Sequence, residues 1–152
     1  MAQVTTFLWF DDQAEEAMNF YVSLFPNSRI VALERGQDGK VFVGSFELDG
    51  VTYQALNAGP MFKFTEAISL YVDCADQAEV DRLWAAFMGN GGSEPRCGWL
   101  KDKFGLSWQI VPRRFRALMS DPNPAKVQAV QAAMMQMEKL DVAELERAYA
   151  AA

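Results

Sequence analysis

Side chains able to do chemistry are scarce in this sequence, and the most informative count is zero: 152 residues contain no histidine. Imidazole bases, Ser-His-Asp and Cys-His nucleophilic systems and His-ligated metals are thereby excluded. A metal would have to rest on carboxylates without a Cys or His cluster to help. Of the two cysteines, Cys97 stands beside Arg96 and near Lys101, the kind of cationic setting in which nucleophilic thiols are found. Without a general base, a small buried hydrophobe is the stronger reading. Asp11 and Asp12 are adjacent carboxylates of the kind that share acid–base work. They also open a helical pattern, where capping is the stronger reading. What remains is neutral or aromatic: Gln54 and Gln109, the tryptophans Trp9, Trp99 and Trp108, and Phe62 and Phe64. Such residues suit hydrogen bonding and apolar enclosure of a small molecule rather than covalent catalysis.

The wider composition narrows the partners. A net charge of −6 argues against nucleic acid and against an anionic membrane surface. Between Arg96 and Arg116 six basic residues face one acid, Asp102; we read this as a solvated strip except for Lys101, placed at the rim of a binding site. The chain is 51% hydrophobic and 22% charged, which supplies a core and rules out global disorder. The apolar run Phe7 to Phe10 is too short for a membrane span or signal peptide. With two cysteines only, a cytoplasmic location is expected.

The elements that must position these residues come in two copies. Leu8-Trp9-Phe10-Asp11 leads into Asp12-Gln13-Ala14-Glu15, and Leu70-Tyr71-Val72-Asp73 leads into Asp76-Gln77-Ala78-Glu79. The offset is 62 in the apolar part and 64 in the acidic part, read as a two-residue insertion. The first copy predicts a strand over Thr5 to Phe10 and a helix over Gln13 to Phe25, opened by an Asp12–Glu15 capping box. Strands follow over Arg29 to Glu34, Val41 to Leu48 and Val51 to Ala58, with a two-residue hairpin turn at Asp49-Gly50. The second copy predicts a strand over Ala67 to Asp73, a helix over Gln77 to Met88, and strands over Ser93 to Trp99, Trp99 to Phe104 and Leu106 to Val111. Helices alone follow Pro112. There Val127, Val130, Met134 and Met137 make an apolar stripe, expected to be covered by a second copy of the chain, and Asp141 with Glu144 forms a capping box. The domain reading is one domain over 1–152, with units at 1–58 and 67–112 and a helical tail at 113–152. The fold class is α+β.

Side chains alternate along strands, so a ligand-binding cup between the first and fourth strands of each unit would be walled by Thr6 with Leu8, Gln54 with Leu56, Ser69 with Tyr71, and Ser107 with Gln109. Trp9 and Trp108 alternate onto the helix-covered face. Phe62, Phe64 and Trp99 are left as the aromatic lining, and Lys101 as the one cationic contact.

A tandem βαβββ plan resembles the vicinal oxygen chelate (glyoxalase and bleomycin-resistance) superfamily. Within it the chain resembles the PhnB-like proteins, often labelled 3-demethylubiquinone-9 3-methyltransferase. The resemblance rests on Phe7-Leu8-Trp9-Phe10, Phe25-Pro26-Asn27-Ser28 and Ala55-Leu56-Asn57-Ala58-Gly59-Pro60. It rests above all on the block from Cys97-Gly98-Trp99-Leu100-Lys101-Asp102 to Gln109-Ile110-Val111-Pro112. It implies strands curved into a cup around a ligand, commonly in a homodimer. Metal-dependent relatives carry His or Glu at positions that fall here near Thr6, Gln54, Ala67 and Gln109. None is a His or a carboxylate, so the resemblance read through these residues implies no metal, and no cofactor is expected. Three functions follow as expectations: a metal-free small-molecule binder, a glyoxalase- or dioxygenase-type enzyme, or a methyltransferase as the label suggests. The last needs a glycine-rich turn opening a helix after a strand, whereas Gly89-Asn90-Gly91-Gly92 follows a helix. The binder of a neutral aromatic or quinone-like molecule fits the residues best.

Overall fold

The computed structural model describes residues 1–152. They form two compact units, Met1–Phe64 and Thr65–Ala152. The architecture is mixed α+β, with one four-stranded mixed sheet in each unit.

In the first unit β1 (Thr6–Phe10) is followed by α1 (Ala14–Leu24), β2 (Arg29–Arg35), β3 (Val41–Leu48) and β4 (Val51–Asn57). The sheet order is β1-β4-β3-β2, with β1 parallel to β4 and the other pairs antiparallel. A parallel β1–β4 pair needs a long crossover, which α1 and the β2–β3 strands supply. Asp49 (φ 49°) and Gly50 (φ 77°) make the predicted β3–β4 turn, with both central residues left-handed as a type I′ hairpin requires. The helix buries Ala14, Ala17, Met18, Tyr21 and Leu24 on one face. It approaches β3 so closely that a Cβ on Gly44 would lie 2.9 Å from Met18 Cε.

The start of α1 corrects the sequence reading. No side chain caps it locally. Instead Asn57 at the end of β4 accepts from the Ala14 N–H at 2.8 Å and donates to the Val41 carbonyl at 3.0 Å. Glu15, the other half of the expected box, is committed to Arg35 at 2.7 Å, and that bond holds its carboxyl below the usual range. Capping from a distant strand leaves no local sequence pattern. Replacing Asn57 with Ala should cost about 1–2 kcal/mol, read by chemical denaturation, with faster hydrogen exchange at the Ala14 amide.

The second unit repeats the order as β5 (Ser69–Cys74), α2 (Gln77–Gly89), β6 (Ser93–Arg96), β7 (Trp99–Lys101) and β8 (Ser107–Pro112), with sheet order β5-β8-β7-β6. Here the acidic signature does cap: Asp76 accepts from the Glu79 N–H at 3.0 Å. The strand registers also correct the repeat. Phe7 lies opposite Gln54 and Tyr71 opposite Gln109, so the copies correspond at an offset of 64 through the strand as well as the helix start. No insertion separates them. Offsets of 62 and 64 both preserve strand parity, which is why the matched tetrapeptides suggested the shorter one.

Cys97 (φ 54°) and Gly98 (φ 86°) form a tight turn where one continuous strand was expected to reach Trp99. Their amides donate to the carbonyls of Met137 and Glu138, both at 2.8 Å. Thus the turn is also where the tail attaches. The tail comprises α3 (Arg113–Met119), α4 (Pro124–Met135) and α5 (Val142–Ala151). Its apolar stripe is not left for a second copy: Val130, Met134 and Met137 pack with Leu118 of α3 and Leu145 of α5. Asp141 caps α5 as expected, accepting from the Glu144 N–H. No helix is long and apolar enough to cross a membrane.

Candidate functional site

Each sheet has one face against its helix and one face away from it, and the registers assign the side chains. In the first unit Leu8 lies opposite Ala55 and Ala55 opposite Gly44, which meets Met18 of α1. Leu8, Phe10 and Ala55 therefore form the helix face, and all three are buried. Thr6 shares their parity. This corrects two expectations at once: Thr6 belongs to the helix side, and the open face of β1 carries Thr5, Phe7 and Trp9. Trp9 is thus not on the helix-covered face. Its indole donates to the Gly59 carbonyl at 2.9 Å, and Phe62 meets its ring edge-on at 4.9 Å. Phe64 goes the other way, packing edge-on against Phe10 at 5.3 Å. Phe62 therefore flanks the open face and Phe64 does not. A shallow hollow of about 110 Å³ on this face is lined by Ala32, Glu34, Val43, Ser45 and Gln54, with Gly44 at its floor.

In the second unit Trp108 packs against Phe87 of α2 at 4.8 Å, which places it on the helix side as expected. The alternate residues Ser107 and Gln109 face away. Ser69 and Tyr71 stand opposite them on β5, and Lys101 and Trp99 on β7. The structure thus brings Ser69, Tyr71, Trp99, Lys101 and Gln109 together on one sheet face. Ala67 lies in a turn before β5.

The two glutamines are set in the same way. Gln54 Nε2 donates to Thr5 Oγ1 at 3.0 Å, and Gln109 Nε2 donates to Ser69 Oγ at 2.8 Å. At the 64-residue offset Thr5 corresponds to Ser69, so each open face carries one amide–hydroxyl pair joining its first and fourth strands. Each pair fixes the amide plane and leaves the glutamine carbonyl as an oriented acceptor.

A cavity of about 470 Å³ lies beside the second pair, lined by Glu66, Glu94, Arg96, Cys97, Trp99, Leu100, Lys101, Ser107 and Met135. Its charges balance, two acids against two bases. Lys101 Nζ is 2.7 Å from Glu94 and also pairs with Glu66; these bonds raise the ammonium pKa, and Lys101 lowers that of Glu66. The rim cation expected to meet a ligand is therefore already neutralised. Arg116 lies over the Tyr71 ring at 5.8 Å, and burial raises the Tyr71 hydroxyl pKa. Cys97 lines the cavity with its sulfur 3.6 Å from the Met135 carbonyl. Cys74 is fully buried, and burial pushes its thiol up to about 12, so it is inert. Both cysteines are free.

One residue escaped the sequence reading as more than a member of a basic strip. Asp102 is 3% exposed and gathers the β7–β8 turn, accepting from the amides of Phe104 and Leu106 and from Trp108 Nε1 at 2.9 Å. It positions Lys101 and Ser107 on either side of it. The signal was available in the spacing Asp-x-Phe-Gly-Leu-x-Trp, a turn carboxylate six residues before an indole donor.

The profile of the family described as 3-demethylubiquinone-9 3-methyltransferase matches residues 2–111. The chain belongs to this family. Among solved structures, a PhnB protein from Bacillus cereus is 36% identical, with 73% of this chain and 99% of that one covered at a TM-score of 0.67. A glyoxalase/bleomycin resistance protein from Albidiferax ferrireducens T118 is 17% identical over 73% of this chain and 98% of its own, at a TM-score of 0.50. A protein from Bacillus cereus described as a possible glyoxalase is 12% identical over 73% and 98%, at a TM-score of 0.53. The last two show a shared fold alone. No curated protein matches the chain.

Neither group that the family and fold suggest fits the residues present. For a metal, Thr6 is on the helix side, Ala67 has no donor, and Gln54 and Gln109 are neutral amides tied to hydroxyls; such oxygens bind divalent transition metals poorly. No group of three Cys, Asp or Glu side chains is placed to hold a metal ion. For S-adenosylmethionine, the turn Gly89 to Gly92 closes α2 rather than opening a helix. The amides of Asn90 and Gly92 both donate to the Phe87 carbonyl, and a Cβ on Gly92 would lie 2.6 Å from that same oxygen. The glycine is required by the helix end, not by a cofactor.

Proposed function

We propose that this family member is a metal-free binding protein for a small neutral molecule with an aromatic or quinone-like body, held on the open sheet faces. The observation that carries the reading is the repeated amide–hydroxyl pair, Gln54 with Thr5 and Gln109 with Ser69. A fixed neutral amide offers a hydrogen bond without a charge. Burying an unpaired anion beside it would cost several kcal/mol, more than such groups return. The lining aromatics Trp9 with Phe62 on one face and Trp99 with Tyr71 on the other supply flat apolar walls.

The proposal extends to a homodimer located in the cytoplasm. Exposed apolar side chains at Phe7, Met61, Phe62 and Ile68 support an interface better than the tail stripe does. Light scattering should give twice the chain mass, and a monomeric mass would remove this part. Free cysteines suit a reducing compartment.

Native mass spectrometry of protein incubated with cell extract tests the main reading. A retained organic molecule is expected, unchanged by chelator. Elemental analysis after dialysis should give no stoichiometric transition metal; about one zinc, nickel, iron or manganese per chain would overturn the metal-free reading. Replacing Gln109 with Leu should weaken the retained molecule about tenfold, the worth of one hydrogen bond in a dry site.

A further inference from the structure

Ser107 is 1% exposed, and its Oγ is buried without a hydrogen-bond partner. A buried hydroxyl without a partner is uncommon and calls for an explanation. Its neighbours on the sheet do not provide one. Ser69, directly opposite on β5, accepts from Gln109 and makes no bond to the Ser107 hydroxyl. Lys101, directly opposite on β7, has its ammonium held by Glu66 and Glu94. Alanine would fill the same place with no orphaned group, so packing alone does not explain a serine. Ser107 also lines the cavity of about 470 Å³, where Trp99 and Met135 supply apolar wall.

We infer that Ser107 is the hydrogen-bonding anchor of this cavity, its hydroxyl turning about χ1 from its buried position to meet the one carbonyl or hydroxyl oxygen of a flat aromatic ligand. This rests on the small-molecule reading above and narrows it to one cavity within the second unit and one polar atom of the ligand. The volume lies in the range of sites that enclose small ligands. The balanced charges at the rim oppose an ionic ligand, and the orphaned hydroxyl, able to donate or accept, makes the oxygen the element of specificity.

Two probes of nearly equal shape test it: 2-acetylnaphthalene, which has the oxygen, and 2-ethylnaphthalene, which lacks it. The wild-type chain should prefer the ketone by about tenfold, one hydrogen bond's worth, in titrations followed by tryptophan fluorescence. Ser107→Ala should bind both alike, with the hydrocarbon's affinity unchanged, while its melting temperature stays level or rises because an unpartnered group has been removed. A preference that survives in Ser107→Ala, or a clear drop in its melting temperature, overturns the anchor role. In the wild type, nuclear Overhauser contacts from the acetyl methyl should reach Ser107 and Trp99, and their absence overturns it without any variant. If neither probe binds while the native spectrum retains another molecule, this inference fails and the binding reading stands. If nothing is retained and neither probe binds, both fail.

Discussion

Asp102→Ala should lower the melting temperature by roughly 6–12 °C. The carboxylate is buried and accepts three hydrogen bonds, from the amides of Phe104 and Leu106 and from the Trp108 indole. Removing it strands those donors where water cannot replace the lost acceptor, at a cost of about 3 kcal/mol, and 1 kcal/mol corresponds to roughly 2–4 °C in a chain of this size. The turn also spaces Lys101 from Ser107, so ligand affinity should fall with stability. Asp102→Asn separates the two effects. An amide oxygen keeps part of the cradle and should recover more than half of the lost melting temperature. A change under about 2 °C for Asp102→Ala would mean that the turn is held by something else.

Leu140→Ala should be comparably severe, about 3 kcal/mol by the usual cost of truncating a buried leucine. Leu140 is 1% exposed and lies so close to Gly98 that a Cβ there would be 3.0 Å from its Cγ. Beside it the Cys97 and Gly98 amides bond the tail, and Gln77 Nε2 donates to the Leu140 carbonyl at 2.9 Å while its Oε1 accepts from the Val142 N–H. Loosening this point should speed hydrogen exchange at Cys97 and Gly98 before the rest of the second unit opens. The solution mass should stay unchanged, because the tail's apolar stripe is closed by its own helices. A change of oligomeric mass would return the stripe to an interface.

The element order and the fold were legible because each unit combines strong period-two strands with one amphipathic helix and unambiguous turns such as Asp49-Gly50. What escaped was set by distant or weakly contrasted groups. Thr5 and Thr6 are adjacent, β-branched and equally polar, so nothing in the local pattern says which one faces the helix; Leu8 decides it through Ala55 and Gly44. Asn57 reads as a strand residue and acts as a helix cap. Ser93 to Trp99 reads as one strand because Cys97, a residue poorly suited to positive φ, makes the turn, and the tail bonds that hold it there lie some 40 residues on. Gln54 and Gln109 were legible as a pair from the repeat; their hydroxyl partners differ in type, Thr5 against Ser69, and only the strand registers join them. Ser107 carried no signal of its own beyond sharing a face with Gln109, since an unpartnered hydroxyl is a property of its surroundings.

Side-chain amide resonances of Gln54 and Gln109, followed in ¹⁵N-correlated spectra while the molecule retained by the protein is titrated in, test the central claim most directly. At least one of the two amide pairs should shift in a saturable way with that molecule's affinity, together with Ser69 or Thr5 of the same face and with no divalent metal present. Shifts confined to α1, α2 or the tail, or binding that appears only once a transition metal is added, would contradict it.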